Sequence, residues 1–358
     1  MTSHSAHLLT DLLQQVSRSF YTTLRVLPSS VRPQIGLAYL LARATDTIAD
    51  TELVSVEGRL GALKLLRDRI LGQTDVSLDF GELHRQQGEP AEKVLLERIE
   101  EAIALLGSFA AADQVLIRAV LDTITSGQRL DLERFGGATV EQIGVLTSDA
   151  ELDDYTYRVA GCVGEFWTRI CRAHVFPRVA LDDAALLRDG VRFGKGLQLV
   201  NILRDLPKDL RNGRCYLPAT RLAALQLRPV DLLEAANESR LRPLYDQYLD
   251  LARQHLAAGW EYTNQLPWSC MRIRLACAWP VLIGARTLAR LRTENVLDGS
   301  RRIKVPRNEV RNLMLRSLVL YPFPGIWRKQ FDANLAGASR KNLSHSQTVE
   351  GNNSTAHL

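Results

Sequence analysis

Two acidic pairs, Asp46/Asp50 in RATDTIAD and Asp205/Asp209 in NILRDLPKD, are the residues of this chain best suited to do chemistry. Each pair is spaced i,i+4, which on a helix sets both carboxylates on one face. Like charges at that spacing destabilise a bare helix, so two such pairs in otherwise apolar stretches imply a cation between them. Arg43 stands three residues before the first pair, and Arg204 directly precedes the second. Carboxylates so placed suit Mg²⁺, with Mn²⁺ as a substitute, because the ion keeps several waters and shares its shell with substrate phosphate oxygens. One pair alone would be an ordinary solvated helix face. Two pairs with flanking arginines point to a metal-assisted reaction, with Asp46, Asp50, Asp205 and Asp209 as ligands.

Helices must position these residues, and the sequence is helical almost throughout. Apolar residues recur at three- and four-residue steps in 31–51, 56–72, 91–107, 111–135, 151–175, 183–206, 238–264, 270–292 and 307–319. Alternating strand patterns are missing, and Asn212-Gly213 reads as a helix stop. Residues 74–90 form a polar connector, and the polar tail 337–358 is expected to lack fixed structure. The expected fold is all-α, a single helical bundle over residues 1–336, with the two acidic helices facing each other across it.

Composition narrows the partners. The chain has 358 residues, 46% of them hydrophobic, which supplies a sizeable core. A net charge of +5, dispersed and interleaved with acids, gives no reason to expect nucleic-acid binding. The five cysteines (Cys162, Cys171, Cys215, Cys270 and Cys277) have no metal-binding spacing and read as reduced core thiols of a cytoplasmic protein. The N-terminal residues have neither the basic nor the apolar region of a signal peptide. The longest apolar run, Leu275 to Ala285, is too short to span a bilayer, so a soluble or peripheral protein is expected.

Four segments together resemble the squalene/phytoene synthase family, and most closely its squalene synthase branch: SRSFYTTLRVLP (17–28) with AYLLARATDTIADT (38–51), DDYTYRVAGCVGEF (153–166), GKGLQLVNILRDLPKDLRNGRCYLP (194–218) and WPVLIGARTLARLRTENVLDGSRRIKVPRNEV (279–310). The resemblance implies an isoprenoid-synthase helical fold around a central cavity. It also implies the head-to-head joining of two isoprenoid diphosphates, with farnesyl diphosphate as substrate, through a cyclopropyl intermediate. Ionising an allylic diphosphate releases a trianion that Mg²⁺ and arginine must stabilise. The allylic cation left behind needs apolar walls. By resemblance, Ser17, Arg18, Ser19, Phe20, Arg43 and Arg204 grip or cover diphosphate oxygens. Gln198 and Asn201 support the second metal site, and Tyr155 assists proton removal during cyclopropane closure. From the residues alone, Ser17 and Ser19 could equally be helix caps and Tyr155 an ordinary half-buried tyrosine. The small residues Ala160, Gly161 and Gly164 would let their helix lie close to a neighbour or to a prenyl chain.

In squalene synthases a basic stretch matching GSRRIKVPR meets the phosphates of NADPH, which puts Arg302 and Lys304 in cofactor-binding positions. Without a nicotinamide, dehydrosqualene, phytoene or presqualene diphosphate would be the product, and the same run would be solvated surface. No G-x-G-x-x-G fingerprint is present, so any dinucleotide site would be built within the helices. The chain departs from the pattern at Ala49, where relatives often carry another acid, and at Arg158, expected to reach an acid or solvent. Pro207 stands between Asp205 and Asp209 and removes the hydrogen bond to the carbonyl of Leu203. In a regular helix interior that costs about 3 kcal/mol, so a kink or an early helix end is expected. The aromatic run LYPFPGIWRKQF (320–331) would either pack on the bundle or, with Arg328 and Lys329, contact the inner face of a membrane for product release. A monomer is expected.

Overall fold

The apolar periodicity becomes helices at close to the expected bounds in a computed structural model, which describes residues 8–17, 21–51, 53–80 and 89–336. A π-helical turn, Leu8–Leu12, precedes α1 (Leu13–Ser17) and α2 (Tyr21–Val26). Then come α3 (Arg32–Asp50), α4 (Val56–Leu71), α5 (Pro90–Glu97), α6 (Ile99–Gly107) and α7 (Ala111–Phe135). The second half holds α8 (Asp149–Thr156), α9 (Cys162–His174), α10 (Asp183–Arg211), α11 (Ala219–Ala223), α12 (Glu238–Gln265) and α13 (Met271–Leu291), and closes with α14 (Arg307–Leu320), α15 (Pro324–Arg328) and α16 (Gln330–Ala336). The polar tail from residue 337 and the residues Arg18, Ser19 and Phe20 lie outside the described residues.

Local chemistry fixes several ends. Ser55, Ser148 and Asp182 accept the N–H groups of Gly58, Glu151 and Ala185 at the starts of α4, α8 and α10. Gly213, at φ 73°, turns the chain out of α10 where the Asn-Gly stop was expected. The chain then enters a two-residue parallel pair, β1 (Gly144–Val145) with β2 (Arg214–Cys215). This pair, absent from the sequence expectation, ties the stretch after α7 to the stretch after α10.

Three helical expectations need correcting. The 91–107 segment breaks at Arg98, whose φ of −103° and ψ of 16° end α5 and begin α6. The 151–175 segment is interrupted by a π-helical turn, Tyr157–Gly161. The helix carrying Pro207 does not end early but continues to Arg211. The Leu203 carbonyl, deprived of its donor by the proline ring, instead accepts the buried hydroxyl of Tyr245 on α12 at 2.9 Å. That bond removes most of the reason for the helix to stop.

Two apolar cores result. One gathers α1, α3 to α7 and α9 around Leu41, Ile48, Leu66, Leu106 and Ile170. The other gathers α10, α12, α13 and α14 around Leu203, Tyr245, Leu256 and Leu282. Helix α10 packs chiefly on α12 and also on α9 and α13, while α3 and α4 pack on α7. At the seam, α9 and α10 touch backbone to backbone. A Cβ on Gly164 would lie 1.9 Å from the carbonyl oxygen of Gly190, and one on Gly194 2.1 Å from that of Ala160. The small residues of VAGCVG thus serve the close approach of a neighbouring helix.

Candidate active site

Where the two cores meet, a cavity of about 370 Å³ opens between α3, α7, α8, the π turn, α10 and β2. Helix α3 contributes Tyr39, Arg43, Asp46 and Asp50, and α7 contributes Gln128 and Asp131. Tyr155, Gln198, Arg214 and Tyr216 face them, and Ala49, Ile124, Leu132, Val159 and Val163 supply apolar wall. The polar groups could handle developing charge, and the apolar groups could keep water from a reactive cation.

The first acidic pair lies where the sequence places it. Arg43 donates to Asp46 at 2.7 Å and also grips Glu92 of α5. These acids outweigh the effect of burial and raise the guanidinium's pKa. Burial first, and then the charge of Asp50, push the Asp46 carboxyl up to about 7. At the C-terminal end of α3, the buried Arg59 donates to the carbonyl of Ala49 at 2.9 Å. That contact satisfies an orphan carbonyl of the last turn beside Asp50.

The second pair divides. Arg204 donates to Asp205 at 3.0 Å, and Arg302 approaches the same carboxylate at 3.4 Å. Burial opposes ionisation of Asp205, but the two arginines prevail and hold it below its ordinary value. Asp209 is pushed up to about 7, by burial and then by Asp205, and it senses both Arg214 and Asp131. Neither residue of this pair lines the cavity itself.

Asp131, which sequence reading missed, links the two pairs. It senses the charge of Asp50 and Asp209, faces Arg214 at 3.7 Å, and accepts the Tyr216 hydroxyl at 3.2 Å. Burial raises it to about 6 despite Arg214. Tyr216 in turn stacks on Tyr155, with ring centroids 4.8 Å apart, which brings the two phenols next to each other. Burial, reinforced by Tyr216 and Asp131, keeps the Tyr155 phenol protonated well above its ordinary range. Arg214 and Tyr216 belong to the quoted GRCYLP stretch, whereas Asp131 stands in QRLDLERF with no partner at i,i+4 to mark it.

The remaining expected residues are placed less centrally. Gln198 lines the cavity, and Asn201 is exposed one turn before Asp205. Ser17 is buried, its hydroxyl donating to the carbonyl of Leu13, and it does not line the cavity. As the last residue of α1 it bonds back one turn rather than capping a helix start. Arg302 and Lys304 are exposed, Arg302 beside the second acidic pair. Arg158 pairs with Asp154 at 2.8 Å and Ser126 at 2.8 Å and faces a separate groove.

Among the described residues, no three His, Cys, Asp or Glu side chains stand close enough together to hold a metal alone. The donor set nonetheless fits Mg²⁺. It consists of carboxylate oxygens in opposed groups, crowded enough that burial and mutual repulsion hold Asp46, Asp131 and Asp209 back from ionising. A hard cation completing its shell with water and diphosphate would relieve that repulsion.

The family model described as squalene/phytoene synthase matches residues 13–309. A bifunctional lycopene cyclase/phytoene synthase of Blakeslea trispora is 29% identical over 316 residues, 85% of this chain, and this chain spans only 48% of it. A presqualene diphosphate synthase of Zymomonas mobilis is 31% identical over 243 residues, covering 68% of this chain and 70% of that protein. Another, from Rhodopseudomonas palustris, is 29% identical over 249 residues, with 70% and 75% covered. Among solved structures, TcSQS with the ligand E5700 matches with a TM-score of 0.72 at 20% identity, over 96% of this chain and 100% of that one. A dehydrosqualene synthase in complex with ligand matches at 0.63 and 18% identity, over 89% and 98%. Both establish the all-α isoprenoid-synthase fold.

Proposed function

Because the chain belongs to the squalene/phytoene synthase family of isoprenoid prenyltransferases, we propose that it condenses two farnesyl diphosphates head to head into presqualene diphosphate and then converts this with NADPH to squalene. The observation that carries the reading is the meeting of Asp46, Asp50, Asp131 and Tyr155 around one cavity that Ile124, Leu132, Val159 and Val163 also line. Mg²⁺ held by Asp46, Asp50, Asp205 and Asp209 would neutralise diphosphate as it leaves.

The chain's own groups do the rest. Arg43 and Arg214 add fixed positive charge at the cavity wall, where leaving-group charge develops. Ile124, Leu132, Val159 and Val163 keep water from the allylic cation. The double bond of the second farnesyl diphosphate attacks that cation, and closing the cyclopropane releases one proton. The Tyr155 oxygen accepts it while passing its own proton to Tyr216, which donates onward to Asp131. In the second step presqualene diphosphate loses its diphosphate and the cyclopropylcarbinyl cation rearranges; Arg302 and Lys304 would hold the phosphates of NADPH, which would supply the hydride that quenches the cation. The place of Arg302 beside Asp205 supports this, because it would bring the dinucleotide next to the second acidic pair.

A second reading, an enzyme that stops at presqualene diphosphate, is favoured by the Zymomonas mobilis and Rhodopseudomonas palustris relatives. Incubating purified protein with farnesyl diphosphate and Mg²⁺, with and without NADPH, and reading lipids by mass spectrometry decides between them. Squalene formed only with NADPH supports the first reading. Presqualene diphosphate in both incubations supports the second, and no thirty-carbon product in either would refute both.

A further inference from the structure

We infer that the outer face of α14 and the elbow leading into α15 form a docking surface for an anionic lipid bilayer. Leu315, Leu318 and Val319, at i, i+3 and i+4, share the face of α14 turned away from α13, and they remain 60%, 39% and 62% exposed. Phe323 and Ile326 continue the patch through the elbow, each more than half exposed. A contiguous run of large apolar side chains in water marks a contact surface rather than ordinary scatter.

The elbow is held rigidly while its tip stays bare. Tyr321 and Trp327, flanking the tip, are buried against Trp268, with centroids 4.5 Å and 6.2 Å from that ring. Trp327 stacks on Trp260 and donates to Asn264 at 2.9 Å. The aromatic run therefore splits: alternate members lock into the bundle and force Phe323 and Ile326 outward.

Charge complementarity identifies the occupant. From Val310 to Phe331 there is no acidic residue, but there are Arg311, Arg316, Arg328 and Lys329. All four are exposed, and none has an ion-pair partner among the described residues. Arg311 lies one turn before Leu315 on the same face. Apolar side chains rimmed by uncommitted cations suit the headgroup boundary of an anionic bilayer, where each adds to binding. A protein partner or second copy would meet this surface only with matching acids.

The test is flotation of the full chain with vesicles of phosphatidylcholine alone and of equal phosphatidylcholine and phosphatidylglycerol. Binding to the anionic vesicles, weakened by salt and reduced about tenfold or more in both Phe323→Ser/Ile326→Ser and Arg311→Glu/Arg316→Glu, is expected. Both variants should consume farnesyl diphosphate in solution like the parent, which shows that they are folded. Absence of binding, or equal binding by the variants, would overturn the inference. So would a dimer that Phe323→Ser/Ile326→Ser splits, or binding seen only after residues 337–358 are deleted, because the face would then belong to a second copy or to the tail. Binding is read without turnover, so its failure would leave the head-to-head reading intact.

Discussion

At the scale of single residues, the proposed relay from Tyr155 through Tyr216 to Asp131 can be separated from packing. Tyr155→Phe keeps the 4.8 Å ring stack and removes only the oxygen proposed to take the proton. Turnover should fall about 100-fold with little change in KM for farnesyl diphosphate or in Tm, the loss expected for one acid–base group. Steady-state kinetics and a melting curve check this, and an unchanged kcat would exclude Tyr155 from the relay. Asp131→Asn should cost kcat similarly, since its amide can accept the Tyr216 hydroxyl but cannot store a proton at neutral pH. The four motif aspartates were legible because repulsion at i,i+4 demands an explanation. Asp131 was not, since its meaning depends on Arg214 and Tyr216 arriving from across the fold. Glu92 escaped notice likewise, as only the packing of α5 on α3 brings it to Arg43.

At the scale of elements, Tyr245 is the clearest case of one helix maintaining another. Tyr245→Phe should destabilise the protein by about 1–3 kcal/mol, the cost of leaving the buried Leu203 carbonyl without a donor. Pro207→Ala restores the backbone donor, so in that background the same substitution should cost much less. Urea unfolding of the four proteins measures the coupling, and additive effects would show that Tyr245 does not compensate for the proline. Gly164→Ala should be far worse, because Gly190's backbone occupies the space its methyl would need. A lowered Tm together with lost turnover is expected, the contact being part of what carries Tyr155 toward α10. Helix bounds were legible wherever a core-facing stripe ran uninterrupted, as in α7 and α13. The π turn was not, because it spans only five residues inside a longer helical stretch. The uninterrupted course of α10 was hidden for another reason: the donor that permits it lies on a different helix.

At the scale of the whole molecule, two cores share one cavity, so anything that loosens their seam should act on both stability and turnover. His255 on α12 lies near that seam, facing Arg192 and Lys195 of α10 and Asp153 of α8. Burial, then the charges of Arg192 and Lys195, depress its pKa to about 4 from an ordinary 6.5. The unfolded chain therefore takes up a proton that the folded chain refuses. Its contribution to stability is complete above pH 6.5 and declines as pH falls toward 4. Unfolding free energies across that window should fall less steeply in His255→Gln, and identical slopes would contradict the assignment. No helix among the described residues is long and apolar enough to cross a membrane, and all five cysteines are free, four of them buried. The central claim is that both acidic pairs serve one reaction, the first lining the cavity and the second coupled to it through Asp131. The rate of diphosphate release from farnesyl diphosphate and Mg²⁺ in Asp46→Asn and Asp209→Asn tests it most directly. Each variant should lose about 10³-fold or more in rate while melting no lower than the parent, as expected when transition-state charge loses its partner. Release at the parent's rate by either variant would contradict the account.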